Sequence, residues 1–476
     1  MALTLFKITI LLTFICNATT GMANEPSASN ILHPASTRPV TGAVSLATCI
    51  RLADKNHPKI GPARARLSEA DAMIAEAKSG KLPTLSYRAG ANYWNDDLKL
   101  EDVPFPGMGS QDFIFEGQQQ LRASVDFAWP LYTWGRVQKS SKAATHELEA
   151  RQLELVRTRE AAINTAIIAY WTLASAKEAQ AYLDATLNEL RQFLETAKED
   201  MASGAKNAPE KDVIQIKIDI HTMEAWRNVL HRWKESAKQA LSIATAIPLN
   251  QVTIEHSEVE YKPIRVSYDQ CLSSAFRHRA DLQAIDRRIH EAALMVEVQE
   301  KANYPDLALV SRARFLEDDY APSQDLVAMV GIEIHGVLFD GSRNNSKTDR
   351  VRAGLSILQQ QQIELRSIIR QEVRDAYLAV KESYNAVIQY NFARQQTMAK
   401  LTVVRDGYPL LLSTVKDVQE TQVERRFRDK DYIFSKLKLI KALASLNLVS
   451  GSTVYDFALL DTLDEGIQIG AIEPTN

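Results

Sequence analysis

Cysteine is almost missing: 476 residues hold three, Cys16, Cys49 and Cys271. They form neither a Cys-x-x-Cys pair nor a cluster with histidine, so nothing in their spacing supports a metal site or a redox pair. The nine histidines are scattered along the chain. Gly-x-Ser-x-Gly, His-Glu-x-x-His and phosphate-loop patterns are all lacking, which argues against an enzyme, and no cofactor is implied. Positive charge is not in excess either. The net charge is −3 with 24% charged residues, which excludes a basic surface for nucleic acid and is unlike a disordered chain. Past the signal-like N-terminus no apolar run reaches the roughly 18 to 20 residues of a spanning helix.

The N-terminus reads as an export signal over residues 1–23. Lys7 supplies the positive end, Ile8 to Cys16 is apolar, and Gly21-Met22-Ala23 offers a small-residue cleavage point. A short membrane anchor is the competing reading. Ile15 is too large to precede a lipid-attachment cysteine at Cys16. Residues 24–44, with Pro26, Pro34 and Pro39, read as a flexible leader.

What the chain does have is a duplication. Shifted by 222 residues, Ser45 to Leu85 falls on Ser267 to Leu307 without a gap, matching Cys49 to Cys271, Arg66 to Arg288 and Glu69 to Glu291. Leu46, Ala53, Ile60, Leu67 and Ile74 recur every seven residues, as do Tyr268, Ala275, Leu282, Ile289 and Val296. That is the seam of a helix packed lengthwise on another helix. Each copy is predicted to open with one long helix, stopped by Pro83 or Pro305. Further on, Leu131, Arg136 and Tyr170 match Leu338, Arg343 and Tyr377 at an offset of 207. The 15-residue change is the difference between a loop at 95–118 and a shorter one at 317–325.

After each opening helix the period changes from helical to strict alternation. Leu85, Tyr87, Ala89, Ala91 and Tyr93 alternate with Ser86, Arg88, Gly90 and Asn92, and Leu121 to Trp129 alternates in the same way around Arg122, Ser124 and Asp126. In the second copy Arg312 and Arg314 oppose Leu309, Ala313 and Phe315, and Glu333 opposes Ile332 and Ile334. The polar set Arg88, Arg122, Asp126, Arg312, Arg314 and Glu333 is the candidate wet face. Any antiparallel sheet with one solvated side would alternate like this. Export, aromatic residues near the strand ends and polar loops together favour a membrane barrel. Four strands close no barrel, and open edges are not viable in a bilayer, so the barrel must be shared between chains.

The expected organisation is repeat 1 at 45–250, with strands 84–94 and 119–130; a linker at 251–266; repeat 2 at 267–451, with strands 306–316 and 326–339; and a C-terminal tail at 452–476. The loop at 95–118 is expected outside the cell. Each repeat carries a helical stretch, from Arg136 or Arg343, long enough to span on the order of 100 Å.

These residues resemble the TolC-like outer membrane factors. The resemblance rests on the Ser-Leu-x-x-x-Ile-x-x-Ala opening with Asn56-His57-Pro58, on Lys81-Leu82-Pro83, and on the strand exits Pro130-Leu131-Tyr132-Thr133-Trp134-Gly135-Arg136 and Val337-Leu338-Phe339-Asp340-Gly341-Ser342-Arg343. Family members commonly show Pro-Leu-Phe-Asp-x-Gly-x-Arg there; the first exit has Thr133 for Asp and the second Val337 for Pro. The resemblance implies an α+β membrane protein: a homotrimer whose 12 strands, four per chain, form one outer membrane barrel in outer membrane lipid, continued by a periplasmic α-helical barrel. It also implies passive export from a Gram-negative cell, with a periplasmic adaptor (membrane fusion) protein and an inner membrane transporter of RND or ABC type as partners. Efflux pumps and type I secretion both use such ducts.

The gate candidates follow. Gly204 with Pro209 and Gly407 with Pro409 place the periplasmic turns, just before Asp212 and Asp417. Asp417 and Glu420 are three residues apart on one helix face, and in a trimer they would form stacked acidic rings; Asp212 and Gln215 are their equivalents in the first copy. Tyr408 sits where the family can carry a gating tyrosine. The same carboxylates equally suit helix capping. A periplasmic coiled-coil adaptor or scaffold would explain the heptads too, but it does not explain paired strands interrupting the helices at the same point in both copies.

Overall fold

The computed structural model describes residues 43–96, 98–105, 109–116, 119–204, 210–255, 266–318 and 325–451. The export signal, nearly all of the leader, most of the linker and the tail lie outside the described residues. From Val44 onward the chain forms one unit. Its elements, in order, are α1 (Leu46–Asn56), α2 (Ile60–Ser79), β1 (Thr84–Tyr93), β2 (Leu98–Phe105), β3 (Gly109–Glu116), β4 (Gln119–Tyr132), α3 (Arg136–Ala202), α4 (Glu210–Thr245), α5 (Tyr268–His278), α6 (Ala280–Glu300), β5 (Asp306–Asp318), β6 (Asp325–His335), α7 (Arg343–Gly407) and α8 (Val415–Ser450). Val44 N–H donates to the Thr253 carbonyl at 2.8 Å, which ties the start of the first copy to its end.

The opening helices are each broken, against expectation, and by different means. In the first copy Pro58 restricts the residue before it, and His57 turns out of the helix at φ −59°, ψ 133°. The second copy has no proline there. Instead Arg279 takes φ −63°, ψ 120°, and its buried guanidinium reaches Asp281 at 2.6 Å and Glu372 at 2.5 Å. The breaks leave the seam intact: Leu46, Cys49, Ala53, Ile60, Ala70 and Ile74 are buried, as are Cys271, Ala275, Leu282 and Val296. Cys49 and Cys271 remain free thiols in that seam.

A second correction concerns 95–118, expected as a plain loop. Within it β2 and β3 pair antiparallel, with register shifts near Leu98 and between Leu100 and Val103. Asp102 and Pro104 read as turn chemistry, but a hairpin whose ladder is already irregular tolerates such residues.

The main sheet has the order β1-β4-β5-β6, antiparallel throughout. Its two outer strands, β1 and β6, have no partner on their far sides within the sheet. Both strand exits into a long helix use left-handed backbone, Gly135 at φ 79° before α3 and Ser342 at φ 66° before α7. Glycine takes this conformation without strain, whereas a serine is an uncommon occupant.

α3 and α7, of 67 and 65 residues, would each extend about 100 Å at 1.5 Å per residue. One core joins Leu187 and Leu190 of α3 to Ile216 and Ile220 of α4 and Val415 and Ile433 of α8. Another joins Ala275 of α5 and Leu282 of α6 to Ile369, Val373 and Val380 of α7 and Leu446 of α8. No described helix is long and apolar enough to cross a membrane.

Candidate functional site: helix turn and sheet face

Two regions hold the residues singled out from sequence: the α7–α8 turn and the polar face of the main sheet. At the turn, Ser413 Oγ donates to the Val404 carbonyl at 2.6 Å and Leu412 N–H donates to Gly407 at 2.9 Å, so the chain reverses within a few residues. The reversal leaves Leu410, Leu411 and Leu412 68%, 76% and 81% exposed. Three consecutive bare leucines form an exposed apolar patch at that end of the hairpin.

Asp417 acts first as a cap. Thr414 N–H donates to its carboxylate at 2.8 Å and Thr414 Oγ1 at 2.7 Å, while Asp417 N–H returns a bond to Thr414 Oγ1 at 3.2 Å. This is the reciprocal box that satisfies two orphan donors of a helix start. The Thr414 bonds hold the Asp417 carboxyl below the usual carboxylate range, so it stays charged. Tyr408 caps α7 and donates its hydroxyl to Asp200 of α3. Its ring lies edge-on to Phe193, centroids 6.1 Å apart. Burial, with Asp200 beside it, pushes the phenol above its usual range. Tyr408 therefore ties the turn to α3.

Glu420 and Gln215 come together in a cleft of ≈ 700 Å³ between α4 and α8. The cleft is not simply acidic. Lys211, Lys416 and Arg428 line it along with Asp219, Glu420 and Glu424, and Lys416 Nζ stands 3.6 Å from the Glu420 carboxylate. Asp417 is not among the cleft residues. Asp212 lies in the first turn of α4, but its side chain is outside the described part.

Sequence reasoning missed a buried network above the turn. Asp429 of α8, 2% exposed, accepts from Tyr182 of α3 and from Arg394 Nε of α7 at 2.7 Å. Arg425 stands over the same carboxylate at 3.5 Å. One carboxylate thus joins three helices. The Arg425/Asp429 spacing of four was the only signal in the sequence, and it fits an ordinary surface pair equally well.

On the main sheet the register decides the faces. Leu85, Tyr87 and Ala89 stand opposite Phe127, Val125 and Ala123. The same face continues through Ala313 and Phe315 to Ala328 and Leu326. It is bare: Leu85, Leu326, Val330 and Ile334 are each more than 70% exposed. The other face holds all six polar candidates. Arg88 stands opposite Ser124, Gly90 opposite Arg122 and Ser86 opposite Asp126. Asp126 then stands opposite Arg312 and Ser124 opposite Arg314, while Glu333 stands opposite Ala308. Arg312 Nε donates to the Asp126 carboxylate at 2.5 Å.

Where strands meet helices, Tyr132, Trp134 and Tyr304 stack edge to face at 5.0 and 5.3 Å. Trp134 Nε1 donates to the Pro305 carbonyl at 2.7 Å. Rings with a satisfied polar tip suit a boundary between apolar and aqueous surroundings.

Residues 49–219 match the family model described as "Outer membrane efflux protein". The chain shares its fold with the outer-membrane channel OprN, at 16% identity and a TM-score of 0.71, over 86% of this chain and 90% of that one. The outer membrane protein VceC of Vibrio cholerae matches at 20% identity and 0.71, over 85% and 96%. The CmeC outer membrane channel of Campylobacter jejuni matches at 16% and 0.72, over 85% of each. No curated protein sequence matches. The resemblance to TolC-like outer membrane factors thus holds at the level of the family model and of the fold.

Proposed function

We infer that three copies of this chain close a 12-stranded barrel in a Gram-negative outer membrane and form the exit duct of an export machine. The observation that carries this reading is the main sheet: four strands, one bare apolar face, one polar face and two unpaired edges. A sheet with a lipid-compatible side and open edges satisfies its backbone in a bilayer only by pairing edge to edge with further copies. The apolar face then meets lipid, and Arg88, Arg122, Asp126, Arg312, Arg314 and Glu333 line the lumen. The two repeats at 45–250 and 267–451 supply alternate segments of the wall.

The helical hairpins face the periplasm in this reading. The bare Leu410–Leu412 turn is where a periplasmic adaptor docks, and the inner membrane transporter behind it, RND or ABC, supplies the energy. The duct itself performs no chemistry and moves cargo passively. Asp417, Glu420, Asp212, Gln215 and Tyr408 form the periplasmic aperture, with Tyr408 holding the turn on α3.

Two measurements test the proposal together. Mass in detergent should give a trimer, and membranes should release the protein to detergent but not to high salt. A monodisperse monomer, or release by salt alone, would return the chain to the scaffold reading.

A further inference from the structure

The polar face of the sheet is unevenly charged. In three successive cross-strand rows it carries Arg88 and Arg314 with Ser124 between them, then Asp126 beside Arg312, then Arg122 with Asp325 at the far strand. Within these three rows four arginines stand against two aspartates; Asp318 and Glu333 lie on the same face one row beyond Arg122 and two rows beyond Asp126, so the positive excess is confined to this band. Arg312 is committed to Asp126 at 2.5 Å. Neither Arg88 nor Arg314 is held in an ion pair among the described residues, and both are exposed. They share one row, which a strand tilt of about 40° inclines, so in a closed barrel they recur as two rings roughly 6 Å apart in height.

We propose that this row and its neighbours form an arginine belt that selects anionic cargo, so that the molecules leaving through the barrel are organic anions rather than cations. The inference rests on the duct reading above and adds the substrate class to it. Geometry makes the belt effective. Twelve strands about 4.8 Å apart and tilted about 40° enclose a circle roughly 24 Å across between backbone positions. Once arginine side chains reach inward, the open radius falls below the Debye length of about 8 Å at physiological ionic strength. No permeating ion then crosses the belt outside its field, and rings of arginine in a low-dielectric wall favour anions. An anionic solute can also take two parallel hydrogen bonds from a guanidinium that has no carboxylate of its own.

The test uses the full-length trimer in planar bilayers, reading reversal potentials across a KCl gradient and then with potassium benzoate replacing KCl on one side. Replacing both unpaired arginines, Arg88→Gln with Arg314→Gln, should lower the anion-over-cation permeability ratio severalfold, with benzoate falling alongside chloride. Each single substitution should give about half of that shift in reversal potential if the sites act independently. The difference from wild type should vanish at about 1 M KCl, where the Debye length is about 3 Å. Arg88→Lys with Arg314→Lys keeps the charge and should keep most of the preference. If the double glutamine variant does not trimerise, the two single variants decide. An unchanged reversal potential in conducting variants overturns the belt and leaves the duct standing. Wild-type trimers that form no channel overturn the duct, and the belt with it.

Discussion

Ala150 and Ile357 hold the same place in the two copies of the repeat, 207 residues apart. Ala150 is fully covered while Ile357 is 57% exposed. The cause lies in their neighbours. Both α2 and α6 lie against α3, whereas of these two only α6 lies against α7 among the described residues. The first copy's long helix is thus flanked by its own opening helix and the next copy's. The second copy's long helix has its own and lacks a next. Applied once more, the repeat would make α2 of a neighbouring chain the missing partner of α7 in the proposed trimer. Ile363 and Ile368, also exposed on α7, belong to the same uncovered helix. The duplication therefore argues for a closed ring of chains from inside one chain.

The largest expected effect follows from that comparison. Ile357→Glu should abolish the trimer, because each interface loses roughly 2 kcal/mol of apolar burial and gains an unpaired buried charge. Mass in detergent reads it. A stable trimer of this variant would break the argument that α7 is covered by another chain.

The two helix breaks sharpen the comparison next. Arg279→Ala leaves Asp281 and Glu372 without their guanidinium at a site where Arg279 is only 3% exposed. It should cost about 3–5 kcal/mol. Pro58→Ala, at the equivalent break, removes no partner and should cost under about 1 kcal/mol, since surface changes without a lost contact are small. Melting of the purified protein compares them; equal losses would mean that both breaks depend on backbone alone.

Tyr408→Phe is expected to be milder for stability and larger for conductance. It removes one hydrogen bond to the Asp200 carboxylate, worth about 1.5–3 kcal/mol, and keeps the ring on Phe193. Single-channel conductance should rise as the turn loosens from α3. Unchanged conductance in a trimeric variant would confine Tyr408 to packing.

Much of this was legible in the sequence because the signals were periodic. Alternation of period two fixes faces without knowledge of neighbours, so Arg88, Arg122, Asp126, Arg312, Arg314 and Glu333 could be assigned to one side before the register was known. The heptad seam survived two helix breaks, of three residues in the first copy and one in the second, because the same stripe stays buried on both sides of each. What escaped was chemistry between distant segments. Tyr408 meets Asp200 across 208 residues and Asp429 meets Tyr182 across 247, with no periodic trace of either. Thr414 and Asp417 are only three apart, and the box they form is the capping alternative that the sequence already offered for Asp417.

Glu69 and Glu291 close the comparison with the smallest effect. They are equivalent at offset 222, yet Glu69 is exposed and Glu291 half-buried against α3. Burial first, and then the neighbouring Glu147 carboxylate, raise Glu291 to about 7, with Arg288 and Arg151 pulling the other way. Arg288 itself reaches Glu154 at 2.5 Å and Glu147 at 3.7 Å, which divides its charge among three carboxylates. The sign follows from linkage. An acid raised above its unfolded value of about 4.3 binds its proton more tightly in the folded chain. Its contribution to stability is therefore complete below that value and is lost as pH rises through about 7. The protein should melt a few degrees lower at pH 8 than at pH 5, and Glu291→Gln, which keeps the neutral hydrogen-bonding form, should flatten that slope. Glu69→Gln should leave the slope alone. If both variants flatten it equally, the pH dependence belongs to the exposed carboxylates in general, and the two equivalent positions differ in burial without differing in ionisation.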